Sequence, residues 1–253
     1  MSKKAPSFGY KIVKTIIRWC YPKLHCEGTE NLLSEPMLII GNHAQINGPI
    51  GCELYSPVPR RTWCAAEMMD RKQVAAYAYH DFWSQKPKWT RGPYKLLSHL
   101  VTPLSVLIFN NAETIPVYRD NRVLSTFRAT VNTLAEGKSV VIFPEHDERH
   151  NHIVDDFQNR FVDAARLYYR KTGKTVSFVP LYVAPKLKKL IYGKPVPFDP
   201  DAPIEEERIR IADAMMDGIT ALADAQPLHT VIPYRPIAKR LYPKNHPGKE
   251  AAE

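Results

Sequence analysis

The constraint that governs this chain is an alternation. Short apolar runs, each shorter than a core helix, recur between longer segments whose apolar residues return at helical spacing. PMLII at 36 to 40, TIPVY at 114 to 118, SVVIF at 139 to 143 and TVSFVPLYVA at 175 to 184 read as buried strands, and LHCEGTENL before them as a strand and a turn. Between them, Val123, Leu124, Phe127, Val131 and Leu134 mark a helix opened by Asp120 or Asn121 and closed at Gly137. A second helix, FVDAARLYYRKTG, stops at Gly173, and a third opens at Asp201 and Pro203 and lines up Ile211, Met215, Ile219 and Leu222. Strands that alternate with helices predict an α/β fold: one domain with a mostly parallel central sheet flanked by helices.

The chain has 253 residues, 44% of them hydrophobic, enough for one large core. Three spans follow: residues 1 to 24 as an N-terminal amphipathic helix, 25 to 226 as the α/β domain, and 227 to 253 as a basic, proline-rich tail expected to be loosely ordered. In the first span, Tyr10, Ile12, Val13, Ile16, Ile17 and Trp19 interleave with Lys11, Lys14 and Arg18, which suits either a helix lying in a lipid interface or a terminal helix packed on its own domain. It is too short and too charged for a signal peptide or a spanning helix. Residues 61 to 113 carry aromatic and basic clusters (Tyr77, Tyr79, Phe82, Trp83, Trp89) and an apolar run interrupted by Pro103, which reads as a buried helix or as a wall facing lipid or an acyl chain. The net charge of +9 calls for an anionic partner. Cys20, Cys26, Cys52 and Cys64 show neither CxxC nor zinc-ribbon spacing and read as reduced thiols of a cytosolic protein.

Chemistry in an open α/β sheet sits beyond the carboxyl ends of the strands. Three of those ends are polar: Asn42-His43, Arg119-Asp120 and Pro144-Glu145-His146. Side by side, they bring together a base, an anion contact and an orienting carboxyl.

NHAQINGPI, IPVYRD, VVIFPE and FVPLYVA, in that order, resemble the four blocks of the glycerolipid acyltransferase family, which includes bacterial 1-acylglycerol-3-phosphate acyltransferases. The similarity spans roughly residues 25 to 200. It implies that His43 is the general base, that Arg119 contacts the acceptor's phosphate and that Glu145 is the glutamate of the third block. The implied reaction moves a fatty acyl group from an acyl-CoA or acyl carrier protein thioester to a hydroxyl of a lysophosphatidic acid, lysophospholipid or related lipid, with no cofactor and no metal. The apolar residues from Leu96 to Phe109 are candidate lining for the acyl chain. Asn42, Asn47, His146 and Arg149 join Arg119 as expected substrate contacts, and the protein is expected to be cytoplasmic and peripheral on the inner face of the membrane.

Two departures fall in the site. Gly48 stands where the family has the aspartate that orients its histidine, and His146-Asp147-Glu148 stands where it has Gly-Thr-Arg, with Arg149 one place late. Loss of the orienting carboxylate from a triad of this kind costs on the order of 10⁴ in rate. Candidate replacements are Glu145 and Asp147, counted with His43 as catalytic, and the amides of Gln45 and Asn47. Asp147 and Glu148 also disfavour a dianionic phosphate, which Arg119 and Arg149 could still bind, so the expected acceptor is a lysophosphatidic acid or a less charged alcohol such as a lysophospholipid or glycolipid.

Two other readings compete. A silent homologue that binds lipid or an acyl carrier would account for Gly48, and a metal-dependent hydrolase would use His146, His150 and His152, although HDERH is neither HExxH nor HxxEH and the preceding Phe-Pro-Glu predicts a polar loop. The basic stretches Arg60-Arg61, KPKWTR at 86 to 91 and Lys186, Lys188 and Lys189 accompany no nucleic-acid-binding signature, so no nucleic acid is expected.

Overall fold

A computed structural model describes residues 6 to 80 and 91 to 246. Expectations placed on Phe82, Trp83, Trp89 and the basic stretch 86 to 90 lie outside the described residues. Helix α1, Phe8–Cys20, begins where the Ser7 hydroxyl accepts the Tyr10 N–H. Strands β1, His25–Glu27, and β2, Met37–Gly41, lead to helix α2, Asn47–Tyr55, and strand β3, Arg60–Ala65. Helices α3, Val74–Ala78, and α4, Arg91–Asn111, precede strand β4, Thr114–Val117. Helix α5, Val123–Ala135, gives way through Gly137, whose φ of 79° suits glycine, to strand β5, Ser139–Ile142.

After β5 the expected polar loop is instead a hairpin, strand β6, Glu145–Arg149, antiparallel to strand β7, Asp155–Phe157. The physical reason is pairing: Glu145 aligns with Phe157, whose burial, with the two main-chain N–H groups that the Glu145 carboxyl accepts, outweighs the polar composition of the stretch. Helix α6, Asp163–Thr172, ends at Gly173; strands β8, Ser177–Ala184, β9, Lys189–Tyr192, and β10, Val196–Pro197, lead to helix α7, Ile204–Asp224, which carries Glu205, Glu206 and Glu207 in its first turn.

By backbone proximity the described residues form two units, one from Met1–Pro22 and Trp63–Thr126, the other from Lys23–Thr62 and Phe127–Glu253. The second holds the sheet, in the order β1-β9-β8-β2-β5-β3, with β10 beside β8. β1 with β9, β2 with both β5 and β8, and β3 with β5 are parallel; β9 and β10 run antiparallel to β8. The expected α/β fold with a mostly parallel sheet flanked by helices is what forms. Leu38, Ile39, Ile40, Val140, Phe178 and Val179 have no exposed surface, and α7 buries Ile211, Met215 and Ile219.

The described part of the tail, to residue 246, is paired. Residues 229 to 231 run back along 243 to 245: Val231 donates to Pro243 O, Thr230 bridges Lys244, and His229 and Asn245 are bonded both ways. The fully buried Asn245 amide also donates to Ala223 O, Gln226 O and Pro227 O at the end of α7. One side chain thus ties the end of α7 to residues 226 and 227 through three carbonyls, and these long-range bonds order a stretch whose proline-rich composition suggested disorder.

The first unit contains an inverted helix. On α4 the buried positions are Ser98, Thr102 and Ser105, whose hydroxyls donate to Lys95 O, Ser98 O and Met68 O, while Leu100 is 65% exposed and Leu96, Leu97 and Leu104 are exposed beside it. α1 packs on α4, with Ser7 N–H on Asn111 Oδ1 at 2.9 Å, and exposes Phe8, Ile12, Ile16 and Trp19, the last by 84%. The N-terminal helix is therefore both docked on its own unit and apolar outward. Truncating Ile40, in the sheet, to Ala should lower the unfolding free energy by ~2–5 kcal/mol in denaturant titration, whereas Leu100→Ala on the inverted face should change it by less than ~0.5 kcal/mol.

Candidate active site

The register of the sheet assembles the site. β2 pairs with β5 in parallel, Ile40 opposite Ile142, so the chain leaves the two strands on the same edge: Asn42-His43 from one, Phe143-Pro144-Glu145 from the other. The Asn42 amide extends the ladder, its Oδ1 accepting Val183 N–H at 2.7 Å and its Nδ2 donating to Val183 O at 3.2 Å. That pins the start of the His43 loop to β8.

Glu145 is buried and grips main chain. Its Oε2 accepts His43 N–H at 2.5 Å and its Oε1 accepts Asp155 N–H at 3.2 Å. Burial pushes its carboxyl up to about 8 and the nearby Asp155 adds to the rise, against the two backbone donors that favour the anion. The glutamate thus positions the residue that bears the imidazole.

The imidazole is oriented by a carbonyl. His43 Nδ1 is hydrogen-bonded to Gln45 O, and a carbonyl oxygen only accepts, so Nδ1 carries the proton and Nε2 holds the lone pair a base requires. That contact needs a tight backward turn, and Ala44 and Gln45 supply it with φ values of 45° and 58°. Two successive non-glycine residues in the left-handed region are strained, and strain of this kind is stored where geometry matters. The loop closes through Asn47, whose N–H and Nδ2 both donate to Ala44 O, and through Gly48 N–H on His43 O at 2.9 Å. Of the candidates for the orienting role, Glu145 reaches the His43 main chain, and Gln45 reaches the ring through its own carbonyl rather than its side-chain amide.

Gly48 is there because nothing larger fits. A Cβ at that position would lie 2.8 Å from His43 O and 2.7 Å from the Phe143 ring. An aspartate cannot enter without moving the loop that presents His43.

The site has walls that sequence reasoning missed. Phe143 and Tyr234 stand edge-on to His43 with ring centroids at 5.3 Å and 5.6 Å, and Gln45 Nε2 donates to the Tyr242 hydroxyl at 2.8 Å. Arg235 lies 3.3 Å from Asp155, the neighbour of Glu145. The available signal was two tyrosines in a segment rich in prolines and basic residues.

The other expected residues are placed as follows. Arg119 belongs to the first unit, where it is exposed on a cavity of about 560 Å³ shared with Glu67, Asp70, Tyr118, Asp120 and Arg122. Arg122 stacks on Tyr118 at 4.3 Å and bonds Asp120 at 2.7 Å, which holds the Asp120 carboxyl below its usual range. Hydrogen bonds from Lys72 N–H and the Gln73 amide do the same for Asp70. Arg119 is the cavity cation without a hydrogen bond or ion pair among the described residues. In the second unit, His146 Nε2 meets Asp156 Oδ2 at 3.1 Å across the hairpin, and Arg149 turns to Asn151 O. Asp147 lies between them on β6; its side chain is outside the described residues.

Among the described residues, one group can hold a metal: His146, Glu148 and Asp156, with ligand atoms within 4.8 Å of one another. His150 is not in it, and His152 is turned to Asn245 O at 3.0 Å.

No family model matches the sequence, and no curated protein does. Among solved structures, the chain is similar to the crystal structure of the 1-acyl-sn-glycerophosphate (LPA) acyltransferase PlsC from Thermotoga maritima, at 14% identity and a TM-score of 0.49, over 86% of this chain and 79% of that one.

Two outcomes follow from this packing. Gly48→Asp should lower stability measurably in thermal melts and fail to raise any activity of the wild type, because the new side chain displaces the loop before it can reach the imidazole. For Glu145 the folded pKa is raised to about 8 from 4.5, so its contribution to stability is present in full below pH 4.5 and is lost as pH rises through 8. The unfolding free energy of the wild type should therefore fall from pH 5 to 9 more steeply than that of Glu145→Gln.

Proposed function

We propose that this protein is an O-acyltransferase acting on a lipid alcohol, with His43 as general base. The observation that carries the reading is the His43 loop at the carboxyl ends of β2 and β5, where a main-chain carbonyl sets the tautomer and a buried carboxyl holds the backbone. Nε2 removes the proton of an acceptor hydroxyl, and the oxygen attacks the thioester carbonyl of an acyl-CoA or acyl carrier protein donor. The tetrahedral oxyanion collapses, the C–S bond breaks, and the departing thiolate takes the proton from the imidazolium. The products are an ester and a free thiol, with no covalent enzyme intermediate.

The first unit supports a lipid setting. The exposed apolar residues of α1 and α4 share their helices with Lys11, Lys14, Arg18, Arg91 and Lys95, and neither helix contains an acidic residue. Apolar side chains beside cations suit an anionic bilayer surface. Among the described residues no helix is long and apolar enough to cross a membrane. On this reading the protein works peripherally, on the cytoplasmic face, and Arg119 is the anion contact for a headgroup, in a cavity whose Glu67, Asp70 and Asp120 disfavour a bare dianion.

The test offers acyl-CoA and acyl carrier protein thioesters with lysophosphatidic acid, lysophospholipids and glycolipids, and reads the products by mass spectrometry. His43→Ala should reduce transfer by at least ~10²-fold. Wild-type protein that binds vesicles but yields no product from any pair would leave the silent lipid binder. A metal-dependent hydrolase is the second reading, favoured by the His146, Glu148 and Asp156 group. Hydrolysis that a chelator abolishes and His146→Ala removes would support it. On vesicles rich in anionic lipid, Ile16→Asp combined with Leu100→Asp should weaken co-sedimentation, and raised salt should weaken that of the wild type.

A further inference from the structure

We infer that the C-terminal loop from Ile232 to Tyr242 is a positioning element of the His43 site, with Tyr242 and Arg235 doing the orienting work that an aspartate in place of Gly48 would otherwise do; the inference rests on the acyltransferase reading of that site.

The loop has a rigid base. The paired stretches 229 to 231 and 243 to 245 are tied by two backbone hydrogen bonds flanking Thr230 and Lys244, and the Asn245 amide fastens them to the end of α7. His229 Nε2 adds a 2.7 Å contact with the buried Tyr182 hydroxyl on β8, and His152 holds Asn245 O from the hairpin side. A loop anchored this way presents the residues between its ends at a set height over the site.

From that base two arms reach the imidazole-bearing residue by different routes. The Tyr242 hydroxyl accepts from Gln45 Nε2 at 2.8 Å, which holds Gln45 in its left-handed conformation, and Gln45 O in turn accepts the proton of His43 Nδ1. Arg235 pairs with Asp155, whose N–H donates to Glu145, whose other oxygen accepts His43 N–H. The first arm sets the ring and the second sets the backbone. Tyr234, next to Arg235 in the chain, meets the ring edge-on, as Phe143 does. A left-handed non-glycine residue persists only when its surroundings over-determine it, and Tyr242 is the side-chain partner that does so for Gln45.

Tyr242→Phe removes one hydroxyl and keeps the ring, so it tests the first arm without a cavity; Arg235→Gln tests the second. The readouts are the ¹⁵N resonances of the His43 ring, which report the tautomer whether or not substrate is turned over, and the kcat and KM of transfer. Wild-type protein should show Nδ1 protonated and Nε2 bare at neutral pH. In Tyr242→Phe the ring should mix tautomers, with kcat reduced by on the order of 10²-fold, KM nearly unchanged and an altered pH profile of kcat. Lys239→Ala, an exposed change in the same loop, should alter none of these. Ring resonances that stay at their wild-type positions in both Tyr242→Phe and Arg235→Gln, with kcat within twofold, would overturn the inference. Ring resonances that shift in a protein showing no transfer would uphold the loop's positioning role and overturn the acyltransferase reading instead.

Discussion

Everything at the candidate site depends on β2 lying parallel to β5 with Ile40 opposite Ile142. That register sends His43 and Glu145 off the same edge of the sheet, close enough for a carboxyl oxygen to accept the histidine's own N–H. A slip of one residue would turn Asn42 away from Val183 and put the loop's anchor on the wrong face of the sheet. The apolar runs that hold the register carry no chemistry. Their burial is what makes the chemistry possible.

The His43 loop shows how a side chain can be oriented with little polar machinery. A carboxylate partner would fix the tautomer and stabilise the imidazolium by charge. Here a carbonyl fixes the tautomer by geometry alone, at the cost of two left-handed residues, and Glu145 sits deep enough that burial favours its neutral form. Both devices make the site less charged than a histidine–aspartate pair would be.

Much of the fold was legible beforehand because it rests on periodicity. The strands β2, β4, β5 and β8 and the helices α5, α6 and α7 fall where the apolar spacing puts them. Burial along α5 is uneven: Val131 and Leu134 are inside, whereas Val123 and Leu124 at its start are exposed. The inverted α4 was ambiguous for a related reason. Its leucines have a helical repeat whichever way they face, and only the hydroxyls of Ser98, Thr102 and Ser105, satisfied by nearby carbonyls, show that the polar side is the buried one.

The sequence by itself determined the alternation of strands and helices, the residues that leave the strand ends, and the fact that Gly48 removes an expected carboxylate. These are local properties, written in spacing and residue type. Only the tertiary structure decided what replaces that carboxylate, because the answer lies in a backbone carbonyl two residues from His43 and in a loop nearly two hundred residues away. Neither has a residue-type signature. A carbonyl belongs to every residue, and the pairing of residues 229 to 231 with 243 to 245 depends on long-range hydrogen bonds, gathered by Asn245, that proline-rich composition conceals.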